Sequence, residues 1–321
     1  MTAVVPVQGA ILESVLDASC PISPDGLGRH AYGRFDAAQM KTAWGRRCRR
    51  RFALVEGVEL LAGAERYDLA GTFDGRAVRI CGIGSLFTDP SHRGLGHARA
   101  LLEALLDRAA GKGAEVAILF SRAGLEDDAR NGFEAIPLTE VTLGVAQSRL
   151  GAPMTMVRSG EERDLGAVVA MGRVRANPFR FHLDRDIDFV QHAITRKRLL
   201  AGLGSTAARQ LQFFIAEEGI TAAAYVVVSV AGRTWTLEEC GDRDASGARV
   251  GALLQALVAR EPSEGRPTIR AWLPPRFLPP QLTIVSAAPA AEVMLVRMLG
   301  AAPMLPRLSV DDLLYWRSDV F

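Results

Sequence analysis

Arg93, Gly94, Leu95, Gly96, His97 and Ala98 follow the pattern R-x-x-G-x-A, and they stand where an apolar strand gives way to a leucine-rich helix. Glycine lets a backbone approach a ligand closely and adopt left-handed dihedrals, and the unpaired amides that open a helix carry partial positive charge. A loop so built suits a pyrophosphate and calls for neither a metal nor an acidic side chain. Two other glycine-loop chemistries are excluded. A dinucleotide-binding G-x-G-x-x-G fails because Arg99 holds the third glycine's place, and no Gly-Lys-Ser/Thr follows for a P-loop. A second candidate is acidic: "WTLEEC" carries Glu238 and Glu239 on opposite faces of a strand, so that one of them either projects into a cleft as an amine-binding carboxylate or base, or makes an edge salt bridge.

The elements that must position the loop can be read around it. Phe35 to Trp44 has helical spacing. Arg51 to Val55, Glu59 to Tyr67 and Ala77 to Thr88 read as an antiparallel meander turned at Glu56-Gly57 and Asp74-Gly75. Asp89-Pro90 ends the last strand, the glycine loop follows, and Ala98 to Ala110 sets Leu101, Leu102, Leu105 and Leu106 on one helix face. Ala114 to Phe120 is a nearly continuous apolar run, the pattern of a strand buried on both faces beside a parallel neighbour. After Gly151 to Pro153 the plan starts again. "ALLEALL" at Ala100 to Leu106 recurs as "ALLQALV" at Ala252 to Val258, with five of seven positions identical and a strand following each copy. A glycine then closes a helix in each copy, at "NGFEAIP" and "MLGAAP". We therefore expect two related domains, 1–150 and 151–321.

Composition sets the outer limits. The chain has 321 residues, 49% hydrophobic and 23% charged, with a net charge of +2, so it can bury a core and its overall surface is not built for nucleic acid. Its four cysteines, Cys20, Cys48, Cys81 and Cys240, are scattered without metal-ligand spacing, and the apolar start lacks the basic region of a signal peptide. A cytoplasmic protein with no metal, membrane or nucleic-acid partner is expected. The cluster Arg46, Arg47, Arg49, Arg50 and Arg51 either grips a phosphate or nucleic acid or, more simply, reads as a solvated face at a helix end, where cations are favoured. "NPFRFHLDRDIDF" reads as a loop entering a helix, in which Phe179, Phe181, His182 and Asp184 either pack or line an acceptor pocket.

At its glycine loop the sequence resembles the GNAT superfamily of N-acetyltransferases, whose cofactor loop has the form Q/R-x-x-G-x-G/A and holds the pyrophosphate of acyl-CoA. The resemblance runs from about Phe52 to Val145, and "MTMVRSGEERDLGAVVAM" looks like the first strand and helix of a second such domain. It implies an α/β fold of two GNAT-like domains, each a mixed, mostly antiparallel central sheet flanked by helices. It also implies acetyl-CoA or another acyl-CoA as co-substrate, held by Arg93 to Ala98 and along the backbone of Leu86, Phe87 and Thr88, with a small-molecule or protein amine as acceptor. Many members protonate the departing thiolate with the tyrosine of Y-x-x-x-G-F. Here Asp128 takes that place, with Asp127 beside it: a weak acid candidate that reads more simply as a solvated helix start. Aligning the repeated helices sets Ala245 to Ala248 against Arg93 to Gly96, so the second copy is expected not to bind CoA. The missing tyrosine keeps open a catalytically silent acyl-CoA sensor. Finally, "DDLLYWRSDVF" reads as an aromatic strand completing the second sheet, and likeness to the mycobacterial survival-type aminoglycoside acetyltransferases raises the carboxylate of Phe321 as a base.

Overall fold

The computed structural model describes residues 1–23, 26–121, 132–146, 156–204, 209–300 and 308–321. The first half runs β1 (Thr2–Pro6), α1 (Ala10–Ser19), α2 (Arg29–Lys41), α3 (Ala43–Cys48), β2 (Arg49–Glu56), β3 (Glu59–Phe73), β4 (Arg76–Thr88), α4 (His97–Ala110), β5 (Val116–Ser121), β6 (Glu134–Ile136) and β7 (Thr139–Val145). The second half runs β8 (Met156–Ser159), α5 (Leu165–Ala176), β9 (Phe181–Leu183), α6 (Ile187–Leu203), β10 (Arg209–Glu218), β11 (Thr221–Ala231), β12 (Thr234–Asp242), α7 (Ala248–Val258), β13 (Thr268–Ala271), β14 (Leu282–Pro289), β15 (Val293–Met298) and β16 (Leu313–Leu314). The meander and its two turns stand where the sequence puts them. The helix expected over Phe35 to Trp44 is two helices, because Thr42 leaves the helical backbone and caps α3, its hydroxyl accepting from the Gly45 amide at 2.9 Å.

Two mixed sheets result. The first has the order β1-β2-β3-β4-β5-β15-β6, with β9 joined to β3 and β16 to β9; the second has the order β14-β7-β13-β12-β11-β10-β8. In each, the strand before the repeated helix and the strand after it pair in parallel: β4 with β5, and β12 with β13. The two halves also exchange strands. β7 leaves the first half to lie between β13 and β14, and β15 leaves the second to lie between β5 and β6. The division expected at residue 150 therefore does not separate the sheets, since the first takes β9, β15 and β16 from across it and the second takes β7.

Two local readings change for the same non-local reason. The helix expected before Gly300 is β15, a six-residue strand with Met294 and Leu295 at 0% and 1% exposure. Short apolar runs do not declare their period, and here two neighbouring strands settle it. The aromatic tail does not complete the second sheet; β16 pairs with β9 in the first.

The cores explain the elements. Leu101, Leu102, Leu105 and Leu106 on α4 pack against Cys81, Ile83, Ala117, Leu119 and Leu295 on one face of the first sheet. Each buried leucine contributes about 2 kcal/mol, an upper estimate because denatured chains are partly compact. The opposite face carries Tyr67, Leu69, Ile80, Ile118, Phe181 and Met294. In the second half Leu253, Leu254 and Leu257 on α7 repeat the arrangement against Val226, Trp235, Leu237 and Ile269.

Candidate active site

β4 and β5 pair from Ile80 opposite Val116 to Ile83 opposite Leu119, and no further. Beyond that point the strands part, and Gly84 to Thr88 on one side and Phe120 and Ser121 on the other line a cleft of about 1350 Å³. β4 also carries a bulge there. Gly63 faces Phe87 and Glu65 faces Gly84, so Ser85 and Leu86 together oppose the single residue Ala64, and Ser85 takes a left-handed backbone with φ 48°. An extra residue on one strand leaves its backbone groups out of the ladder, available to a ligand.

The glycine loop forms one end of this cleft. Gly94 and Gly96 have φ of 81° and 78°, a region that favours glycine, and Gly96 opens α4 without a side-chain cap. A Cβ built on either would meet nothing within 4 Å, so what requires glycine at these positions is the backbone dihedral. Of the expected cofactor residues, Leu86, Phe87, Thr88, Arg93, Gly94, Gly96 and Ala98 line the cleft, joined by Arg99. Leu95 points to solvent at 68% exposure, and the His97 ring lies edge-on to His92, outside the cleft lining.

The other end is charged. Arg49 reaches Asp36 at 2.7 Å and Glu65 at 3.0 Å, Arg51 also bonds both carboxylates, and the Tyr67 hydroxyl donates to Glu65. Burial would raise the Glu65 carboxyl, but the guanidinium groups of Arg49 and Arg51 hold it well below the usual carboxylate range. Burial, reinforced by the Glu65 charge, pushes the Tyr67 phenol up, so it keeps its proton. The second half closes this end with Arg196, Lys197, Trp272, Glu292 and Arg317, the Arg317 guanidinium lying 5.1 Å from the Trp272 ring centre. Among the described residues, no three His, Cys, Asp or Glu side chains converge as a metal site.

Residues 27–125 match the family model described as an acetyltransferase (GNAT) domain. No curated protein matches the sequence. Solved structures match over nearly the whole chain. A probable N-acyltransferase from Enterococcus faecalis superposes with TM-score 0.68 at 13% identity, covering 93% of this chain and 73% of that one. A GCN5-related N-acetyltransferase from Kribbella flavida gives 0.67 at 17% identity, covering 93% and 71%. A tandem GNAT protein from the clavulanic acid pathway gives 0.54 at 13% identity, covering 94% and 100%. The chain has the tandem GNAT fold.

Within this tandem GNAT fold the second copy of the loop has a different fate. Gly247 opens α7 with φ 71° and ψ 18°, close to the 78° and 13° of Gly96, so the structure pairs these two glycines and shifts the sequence alignment by one residue. Here the helix start is filled from within. Asp242 accepts from the amides of Arg249 at 2.8 Å and Val250 at 3.3 Å, and a Cβ on Gly247 would stand 2.5 Å from the Phe277 ring.

The catalytic candidates fall differently. Glu238 occupies a bulge between β11 and β12, buried, bonded to Lys197 at 2.7 Å and to the Ser229 hydroxyl at 2.6 Å. Burial would raise its carboxyl, and the Lys197 charge and these hydrogen bonds bring it below the ordinary value. It stands behind Lys197, which lines the cleft. Glu239 is fully buried against Arg185 and Ser318. Asp127 and Asp128 lie outside the described residues. His182, with Asp184, borders a separate cavity of about 420 Å³ and not the large cleft.

The arginine cluster is where sequence reasoning missed most. On β2, alternation turns Arg49 inward to 3% exposure while Arg50 faces out, and Arg47 bridges to Asp186 and Asp188 at 2.6 Å. The signal was present in the spacing, since Arg49 and Arg51 face Tyr67 and Glu65 across the meander register.

Proposed function

We propose that this protein is an acyl-CoA-dependent N-acyltransferase, using acetyl-CoA to acylate an amine by direct attack on the thioester. The observation that carries this reading is the uncapped start of α4, where two left-handed glycines open onto a cleft that continues along the bulged end of β4. The amides of Gly94 to Ala98 suit the pyrophosphate, with Arg93 and Arg99 at the rim adding charge. The pantetheine arm follows the backbone of Leu86, Phe87 and Thr88 toward the parting of β4 and β5. There the thioester carbonyl meets the bulge, whose amides lie off the ladder and suit the oxyanion.

The amine enters from the face opposite α4, between Tyr67 and the Trp272 and Arg317 side chains of the second half. In its neutral form its nitrogen bonds the carbonyl carbon, the carbon–sulfur bond breaks, and the proton the nitrogen sheds passes through solvent to the departing CoA thiolate. Holding both reactants in one cleft supplies much of the acceleration, which suits a site without the usual tyrosine. The Tyr67 phenol, protonated and bound to Glu65, orders the wall. Glu238 holds Lys197 in place. The acceptor is a small-molecule or protein amine, with no nucleic-acid or membrane partner. The four cysteines are free thiols, which suits the reducing cytoplasm, and among the described residues no helix is long and apolar enough to cross a membrane.

Calorimetric titration with acetyl-CoA and with CoA tests the reading: micromolar binding at one site per chain is expected, and absence of heat with either ligand overturns it. A second reading, a silent acyl-CoA sensor, is favoured by Asp128 at the tyrosine position. Acceptor-dependent thiol release over an amine panel separates the two, because a sensor binds but releases none.

A further inference from the structure

On the face of β4 away from α4, Val78 and Ile80 present side chains to the core, and the next two residues of that parity, Gly82 and Gly84, present none. Phe321 fills the space they leave. A Cβ on Gly82 would stand 2.7 Å from the Phe321 Cζ and 3.1 Å from its Cε2, and one on Gly84 would stand 3.5 Å from its Cδ2. The ring lies 4.6 Å from that of Tyr67 and 5.9 Å from that of Phe120, centre to centre. All three rings line the large cleft where β4 and β5 part. The ring is held there by its own segment and by α6. Arg196 donates to the Val320 carbonyl, the Tyr315 hydroxyl donates to the Asp319 carbonyl at 2.7 Å, and Asp319 accepts from the Trp316 amide at 3.2 Å.

We infer that the Phe321 ring is the floor of the acyl pocket and restricts the donor to short acyl groups. This rests on the acyl-CoA reading above. Gly84 to Thr88 spans three ladder steps on the partner strand because of the bulge, a run of about 10 Å, so an arm that follows Leu86 to Thr88 delivers its thioester beside Gly84. An acyl chain continuing past that point meets the ring lying over Gly82. An acetyl group stops short of it, and a longer chain needs the volume the ring occupies. Gly82 and the phenylalanine are complementary, because a side chain at Gly82 would displace the ring, while at Gly84 one would touch the ring and press on Tyr67, 3.1 Å away.

The test compares acetyl-CoA with octanoyl-CoA on the wild type, Phe321→Ala and Phe321→Leu by calorimetric titration, with thermal unfolding as the folding control. Buried methylenes are worth about fourfold in affinity each. The wild type is expected to bind octanoyl-CoA at least about 100-fold more weakly than acetyl-CoA, Phe321→Ala to bring the two within about tenfold, and Phe321→Leu to fall between. Should Phe321→Ala not fold, the leucine variant carries the comparison. An unchanged ratio in the folded variants overturns the inference while leaving the cofactor reading intact. Failure of the wild type to bind any acyl-CoA overturns both.

Discussion

The starts of α4 and α7 are two versions of one structure. Each begins at a glycine with nearly the same left-handed backbone, each follows the strand that pairs in parallel across the sheet, and each carries its leucines into a core. They differ in what satisfies the amides. In α4 they face a cleft; in α7 the Asp242 carboxylate sits on them, and Phe277 covers the glycine. On the proposed reading, an anion site at a helix start is switched between external ligand and internal carboxylate by a handful of side chains, with the backbone left alone. The fold tolerates either occupant because the helix end has the same need in both.

Four experiments test how far the two helix starts differ. The largest effect is expected from separating the copies: a chain ending after residue 146 lacks β15 and leaves β7 without its sheet, so no cooperative unfolding transition should remain by circular dichroism, whereas the whole chain should unfold in one step. A folded fragment would show that the exchanged strands are dispensable. Next, Gly94→Glu places a carboxylate in the open loop of α4, imitating the filled copy, and should weaken acetyl-CoA binding by about 1000-fold or more, about 4 kcal/mol, with the melting temperature little changed. Equal affinity in the variant would refute the loop as the binding site.

The converse change, Asp242→Asn, removes the internal anion from the amides of Asp244, Arg249 and Val250 and from the Arg249 guanidinium, and should cost about 3 kcal/mol in denaturant unfolding. It should leave one acetyl-CoA site per chain, because Phe277 still covers Gly247; a second site would mean that the charge alone had closed it. The smallest effect concerns a contact between the halves. His192 on α6 bonds the Thr42 hydroxyl at 2.8 Å, and burial, with the charges of Arg196 and Arg49, lowers its pKa from 6.5 to about 3. Its neutral form is favoured on folding, so its contribution is complete above pH 6.5 and is lost as pH falls toward 3. Between pH 7 and pH 5 the loss is about 2 kcal/mol. Asp319, raised by burial to about 6, acts in the opposite sense over this window. The measurement is therefore the difference from His192→Asn, whose stability should fall less from pH 7 to pH 5; parallel curves would remove His192 from the account.

What the sequence made legible was local. The turn residues, the Asp89-Pro90 break, the two loop glycines and the four leucines of α4 each act within a few positions, and the structure places each where the spacing puts it. What it hid depended on partners distant in the chain. Nothing in "VMLVRM" declares that β5 and β6 stand on either side of it. Arg49 and Arg51 look like surface charge until Glu65 and Asp36 are brought against them. Phe321 reads as strand-forming, and its role follows from the missing side chains of Gly82 and Gly84, some 240 residues earlier.

The strand exchange bears on descent. After a duplication, a copy that has lost its ligand is ordinarily free to decay or be deleted. Here the copy with the closed loop supplies β15 to its partner, and the partner supplies β7 in return, so neither can be discarded without orphaning a strand in the other. Mutation is free to erase the second loop's chemistry while selection on the first copy still preserves the second copy's frame. On the proposed reading, a closed loop and a retained fold within one gene are the expected record of such mutual dependence.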